Sequence, residues 1–316
     1  MASGNGPEAV ASFALKLGRP VGAEMVRLLR EQLEMARAEF GQGGAAVHQG
    51  IHQGRRAMRR ARAVLLLARP SLDPAHYDDL VEPLRQAGRL LTPLRDAQSV
   101  IEAVERHRDE LQRAGAGAAI ERLLKRLARR RNAVVARRQA ERAAARECIA
   151  TALQAVDRGF DGLERRAIWD GLDASLRRTR RAMRRAIEDG ADENVHRFRQ
   201  RARALWLQLD LLRPLWPEVV GAQCDEVKRI SQALGAERDL VLLERVLVDG
   251  RGNTADSIPR VLLERLGIER AKLRRKAFRL GKLLFAERPS ATVARLKAYG
   301  DARRARAPEP AAAVPS

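Results

Sequence analysis

The sequence predicts an all-α protein made of two copies of one helical unit, and three observations predict it. Ala, Leu, Arg, Glu and Gln dominate the 316 residues, while aromatics make up 3% and β-branched residues are scarce, which favours helix over sheet. His52, Arg55 and Arg59 stand at i, i+3 and i+7, and about 144 residues later His196, Arg199 and Arg203 repeat that spacing. Pro70 and Pro214 share the offset. Leu94-Arg95-Asp96 and Glu237-Arg238-Asp239 follow the two histidines at similar distances, so these landmarks recur in one order, as an internal duplication requires.

Each element follows from local signals. Residues 1–19 are small and polar and residues 301–316 are rich in Arg, Ala and Pro, so both ends are expected to be disordered. The first half, 20–162, reads as helices at 20–39, 46–69, 74–113 with a break near Thr92-Pro93, and 117–155. Gly41 to Gly44 and Gly115 to Gly117 supply its turns. Gly159-Phe160-Asp161-Gly162 marks the junction. The second half, 163–300, repeats the scheme at 166–189, 192–213, 217–249 and 258–286, with Asp192, Pro217 and Pro259 as start signals.

The charge balance narrows the partner. A net charge of +21 and a pI near 11.3 call for an anion, and nearly all the positive charge is Arg, whose planar fork grips oxyanions in pairs. A GC-rich genome also raises Arg and Ala content, but it scatters arginines rather than stacking them. In helix 46–69, Met58, Ala61, Leu65 and Ala68 form the apolar side, and His48, His52, Arg55, Arg59 and Arg62 share the arc beside it. In helix 192–213, Phe198, Ala202, Leu205, Leu209 and Leu212 form the apolar side, with His196, Arg199 and Arg203 on one arc.

Three more stripes have the same geometry: Arg177, Arg180, Arg181 and Arg184; Arg122, Lys125, Arg126 and Arg129; Lys272, Arg275, Lys276 and Arg279. Like charges so spaced cost an isolated helix roughly 0.2–0.5 kcal/mol per pair. One stripe alone reads equally well as a solvated face. Several with few intervening acids read as walls of a shared anion groove.

Other chemistry finds little support. There is no Gly-x-x-x-x-Gly-Lys loop, no nucleophile with a base at useful spacing and no carboxylate cluster for Mg²⁺, so neither turnover nor a cofactor is expected. His48 and His52 have metal-like i, i+4 spacing, but Gln49 stands where a zinc protease carries Glu, and no metal is expected. His76 and His107 have no constellation. Cys148 and Cys224 match no metal or redox spacing and read as buried thiols in a reducing compartment. With no apolar run near membrane-span length, the expected location is the cytoplasm, with no membrane partner. The rival class is a non-specific nucleic-acid-binding protein; scarce aromatics and the lack of a helix-turn-helix or zinc-finger signature weigh against it. A third is a scaffold whose basic stripes serve solubility.

The motifs resemble the CHAD domain, a family of histidine-bearing α-helical proteins. Its pattern, approximately His-x-x-Arg-Val-x-x-Arg-Arg-Leu-Arg, is met by His52, Arg55, Arg59, Arg60 and Arg62, and the second copy by His196, Arg199 and Arg203. The family's Leu-Gly-x-x-Arg-Asp-Leu element is similar to the run from Leu234 to Leu240 and, less closely, to that from Leu91 to Asp96. The likeness covers roughly 20–300. Arg56, Ala61 and the pair Trp206-Leu207 depart from the pattern. The resemblance implies two four-helix bundles about a pseudo-twofold axis, with a basic cavity that binds inorganic polyphosphate and takes the protein to polyphosphate granules. It also implies a binding module without the triphosphate-tunnel domain of some relatives, since no segment is long enough to form one. Arg95-Asp96 and Arg238-Asp239 are expected to orient one another or close a helix start rather than to touch ligand.

Overall fold

Among the described residues, 13–113, 117–249 and 260–305 of a computed structural model, all regular structure is helical. The long helices are α1 (Val21–Phe40), α2 (Val47–Ala68), α3 (Pro74–Leu90), α4 (Thr92–Arg106), α5 (Gly117–Arg137), α6 (Gln139–Ala155), α7 (Arg165–Asp189), α8 (Asp192–Leu212), α9 (Pro217–Asp249), α10 (Arg260–Leu284) and α11 (Pro289–Ala305). Both motif helices, α2 and α8, end in short 3-10 turns at the predicted prolines, Arg69–Ser71 and Arg213–Leu215. The residues named for their apolar sides are buried in both. No helix among the described residues is long and apolar enough to cross a membrane.

Tertiary packing adds breaks that no Pro or Gly announces. The predicted helix 74–113 stops at Leu91, as Thr92-Pro93 suggests, but also at His107; the predicted 117–155 is interrupted at Arg138. The reason is a change of partner. α5 packs on α4 and α6 packs on α1 and α3, so one straight rod cannot serve both.

The expected disorder of the ends is corrected where they are described. Phe13 is 1% exposed, the Leu15 N–H donates to the Leu211 carbonyl at 3.2 Å, and the Lys16 N–H donates to the buried Glu24 carboxylate at 3.0 Å. At the other end α11 runs through 289–305, where a helix beyond 286 was not expected; Pro289 starts it and Leu296 is fully buried. The expectations for residues 1–12 and 306–316, for Gly115 and for Pro259 concern positions outside the described residues.

A single core runs through both halves. α1 folds back on α2, α2 lies against α7 and α8, and α4 meets α9. A smaller cluster, Val104, Ile120, Leu123, Leu240, Leu243, Leu247 and Leu266, joins α4 and α5 to α9 and α10. The α2–α7 crossing is close because Gly171 lies directly over the chain at Leu67; a Cβ there would come within 2.0 Å of the Leu67 carbonyl oxygen. Gly190, at φ 63°, makes the left-handed turn that lets α8 return along α7. Cys224 is fully buried and its thiol is pushed up to about 12 by burial and by Asp210, whereas Cys148, expected to be buried, is half-exposed in α6.

Candidate functional site: the histidine helices

The crossing of α2 and α8 brings the two halves of the duplicated motif together. Arg59 is surrounded by Arg203, Arg55, Arg95 and Arg199. Burial and that company push its pKa down to about 9. Arg55 is lowered to about 10 by burial and by Arg95, and Arg199 to about 10 by burial, Arg203 and Arg95. All remain guanidinium ions at neutral pH. The depressed values record positive charges held close without enough counter-charge.

The donors are poorly satisfied. Arg55 Nη1 donates to the Gly88 carbonyl at 3.1 Å, but Arg55 Nε and Arg199 Nε are buried with no hydrogen-bond partner. Gln200 Nε2 lies 2.8 Å from His196 Nε2; with the amide donating, the ring proton sits on Nδ1, which is buried and has no acceptor. The acids nearby are engaged elsewhere. Asp239 pairs with Arg106, Glu102 accepts from Gln98 at 3.2 Å, and Asp96 holds Arg95 only at 3.7 Å.

Arg95 and Arg238, expected to orient the acids beside them or to close a helix start, also stand within the charged group. Arg95, in the first turn of α4 beside the buried Leu94, acts on Arg55, Arg59, Arg199, Arg203, His52 and His196 alike. Arg238 acts on His196 and Arg199 and lines a small recess with them and Glu237. The expected mutual orientation of Arg238 and Asp239 gives way to a different arrangement. The pair lies inside α9, and Glu237, Arg238 and Asp239 turn toward Arg274, His196 and Arg106 respectively. A consecutive triplet on a helix points three ways.

Other predicted residues have surroundings of their own. Arg60 stacks 4.9 Å over the Phe13 ring, on the N-terminal segment. Arg122, Lys125, Arg126 and Arg129 are exposed along α5. Arg180, Arg181 and Arg184 form a shallow recess with Pro289, and Arg177 there pairs with Asp173 at 2.5 Å, one turn before the stripe begins. Lys272 pairs with Glu269 at 3.4 Å, while Arg275 and Arg279 flank Phe278 on α10 and Lys276 is exposed. The α5, α7 and α10 stripes thus occupy outer faces, and the residues drawn together are His52, Arg55, Arg59, His196, Arg199 and Arg203. A cavity of about 810 Å³ lies elsewhere, between the N-terminal segment, α7 and α11, with Trp169, Trp216 and Tyr299 in its wall. Among the described residues no three His, Cys, Asp or Glu side chains gather as a metal site.

The histidines are tuned toward neutrality. Burial first, then Arg59 for His52 and Arg238 for His196, lowers both below 6.5; His48 is lowered by burial and by Arg131. A polyanion would cancel the arginine field and raise both rings, so binding takes up protons. Affinity is therefore expected to rise as pH falls through 6.5 and to go on rising below it, until the free protein's depressed pKa is passed. Titration of wild type and of H52Q/H196Q from pH 8 to 5 checks this: the variant should give a flat profile.

No curated protein matches this chain. Among solved structures it is similar to the crystal structure of the CHAD domain from the plant Ricinus communis, at 18% identity, 95% coverage of this chain, 98% of that chain and a TM-score of 0.49. The CHAD domain family matches residues 25–248, which hold both histidine helices, Arg95 and Arg238. By that match, over well more than half its length, the chain belongs to the CHAD domain family.

Proposed function

We propose that this protein binds inorganic polyphosphate without turning it over, in a basic recess where α2 and α8 cross. The observation that carries the reading is the group of Arg55, Arg59, Arg199 and Arg203 around Arg95, held half-buried with donors to spare. Polyphosphate has about one negative charge per phosphate and neither base nor sugar, so a receptor for it needs dense guanidinium donors and little else. His52 and Arg62 support a recess: both are solvent-exposed, yet surrounding protein is the first cause of their lowered pKa, a combination expected of wetted groups in a concavity.

Duplication accounts for two walls of the same chemistry. Helices begin at Val21 and Arg165, Val47 and Asp192, and Pro74 and Pro217, each pair about 144 residues apart, which supports two four-helix halves in tandem. Residence at polyphosphate granules follows from this ligand.

The test is competition between long-chain polyphosphate and single-stranded DNA of equal charge across a salt series. Preference for polyphosphate at physiological salt is expected, with a loss of at least about a hundredfold when Arg55, Arg59, Arg199 and Arg203 are all replaced by Gln. Equal competition by DNA would replace this reading with non-specific nucleic-acid binding.

A further inference from the structure

We propose a second oxyanion site beyond the histidine cluster, where Arg62 and Arg69 meet Arg178 of α7 and Arg201 of α8 around Tyr77, so that one long polyanion occupies both sites. The inference rests on the polyphosphate reading above and adds a direction and a chain-length dependence to it.

The sequence lays the track. Arg55, Arg62 and Arg69 recur every seven residues, which keeps them on one side of α2 and its terminal turn, with about 10 Å between successive members. Tertiary structure completes the far end. Arg69 Cζ lies 5.1 Å over the ring of Tyr77 from α3, and α7 packs on both α2 and the Arg69–Ser71 turn. Arg178 and Arg201 are lowered first by burial and next by Arg69; Arg201 also feels Arg62, and Arg62 in turn acts on Arg55. The chain of neighbours thus joins the two clusters.

These four arginines are free of carboxylates. None of Arg62, Arg69, Arg178 and Arg201 forms an ion pair among the described residues. Several acids on the same helices are matched with other arginines: Asp78 and Glu82 with Arg85, Glu82 with Arg89, Asp173 with Arg177 and Asp210 with Arg213. A solvated face would come from one helix and point outward. Here four elements converge, and Arg178 and Arg201 are half-buried.

The site is not repeated in the second half, where Arg213, equivalent to Arg69, pairs with Asp210 at 3.1 Å. The position equivalent to Arg62, 144 residues on, is Trp206, and Lys228 Nζ sits 5.7 Å over its ring. The track therefore leaves the centre in one direction only. A short phosphate fits the central cluster alone, while a chain long enough to follow α2 for about 20 Å reaches Tyr77.

The full-length protein is titrated with tripolyphosphate and with long-chain polyphosphate, as wild type, R178Q/R201Q, R59Q/R203Q and R158Q/K297Q. The last pair removes two exposed charges that lie on none of α2, α3, α7 and α8 and controls for net charge; melting curves confirm that each variant is folded. R178Q/R201Q should weaken long-chain binding about tenfold or more and leave tripolyphosphate within about twofold, whereas R59Q/R203Q weakens both. If R178Q/R201Q matches wild type or merely matches R158Q/K297Q, while R59Q/R203Q still weakens both ligands, the second site is refuted and the central one stands. If wild type binds neither phosphate, the polyphosphate reading falls and this inference with it.

Discussion

Replacing Arg59 by Gln is expected to stabilise the ligand-free protein by about 1–2 kcal/mol while weakening polyphosphate binding by roughly tenfold to a hundredfold. The two effects share one cause. Arg59 is flanked by Arg203, Arg55, Arg95 and Arg199 and has its pKa depressed to about 9, so in the empty protein its charge is a liability. Gln keeps polarity at the site and removes the repulsion. A polyanion reverses the sign, because the same guanidinium then makes paired, charge-assisted hydrogen bonds. Thermal melts should show a rise of roughly 2–4 °C for the variant in a buffer without phosphate or sulfate, and a smaller rise when either anion is present. A lower melting temperature in anion-free buffer would mean that Arg59 holds the fold together rather than waiting for a ligand.

Gly171→Ala should produce a large loss of stability away from the charged cluster, about 3 kcal/mol or more. The added Cβ would meet the Leu67 carbonyl oxygen at 2.0 Å and its carbon at 2.5 Å. Both are backbone atoms in the middle of the α2–α7 crossing, so no side chain can rotate away and the helices must part. A fall in melting temperature of about 6 °C is expected. Gly267→Ala provides the contrast. That helical glycine has no neighbour within 4 Å, so its substitution should gain up to about 1 kcal/mol from the reduced entropy of the unfolded chain. Since α7 braces α2, Gly171→Ala should also weaken polyphosphate binding although no charge has changed; calorimetry on the folded fraction measures it.

How far the site can be read from sequence is set by what a helical stripe encodes. His52, Arg55 and Arg59 must share a face once α2 is a helix, and the apolar residues beside them say which way that face lies relative to the core. The same logic gave equal standing to the stripes on α5, α7 and α10, because nothing in i, i+3, i+7 spacing says what stands opposite. Arg60 shows the limit most plainly: one residue from Arg59 in the motif, it is rotated by about 100° and ends over Phe13. Arg95 shows the converse. Its importance lies in standing close to six other groups, and all six are on other helices.

Composition and periodicity by themselves determined the helical class, the apolar sides of α2 and α8, the ends of both helices at the two prolines and the cationic character of the arcs beside the apolar sides. These are local consequences of residue type and helical pitch, so they need no knowledge of partners. Tertiary structure alone decided which arcs face one another, that Arg95 and Arg238 join them, where α4 and α5 end, and that the segment from Phe13 to Lys16 and the helix from Pro289 are built into the fold. Each depends on helices meeting across many residues of sequence, at a distance set by contacts such as Gly171 on Leu67.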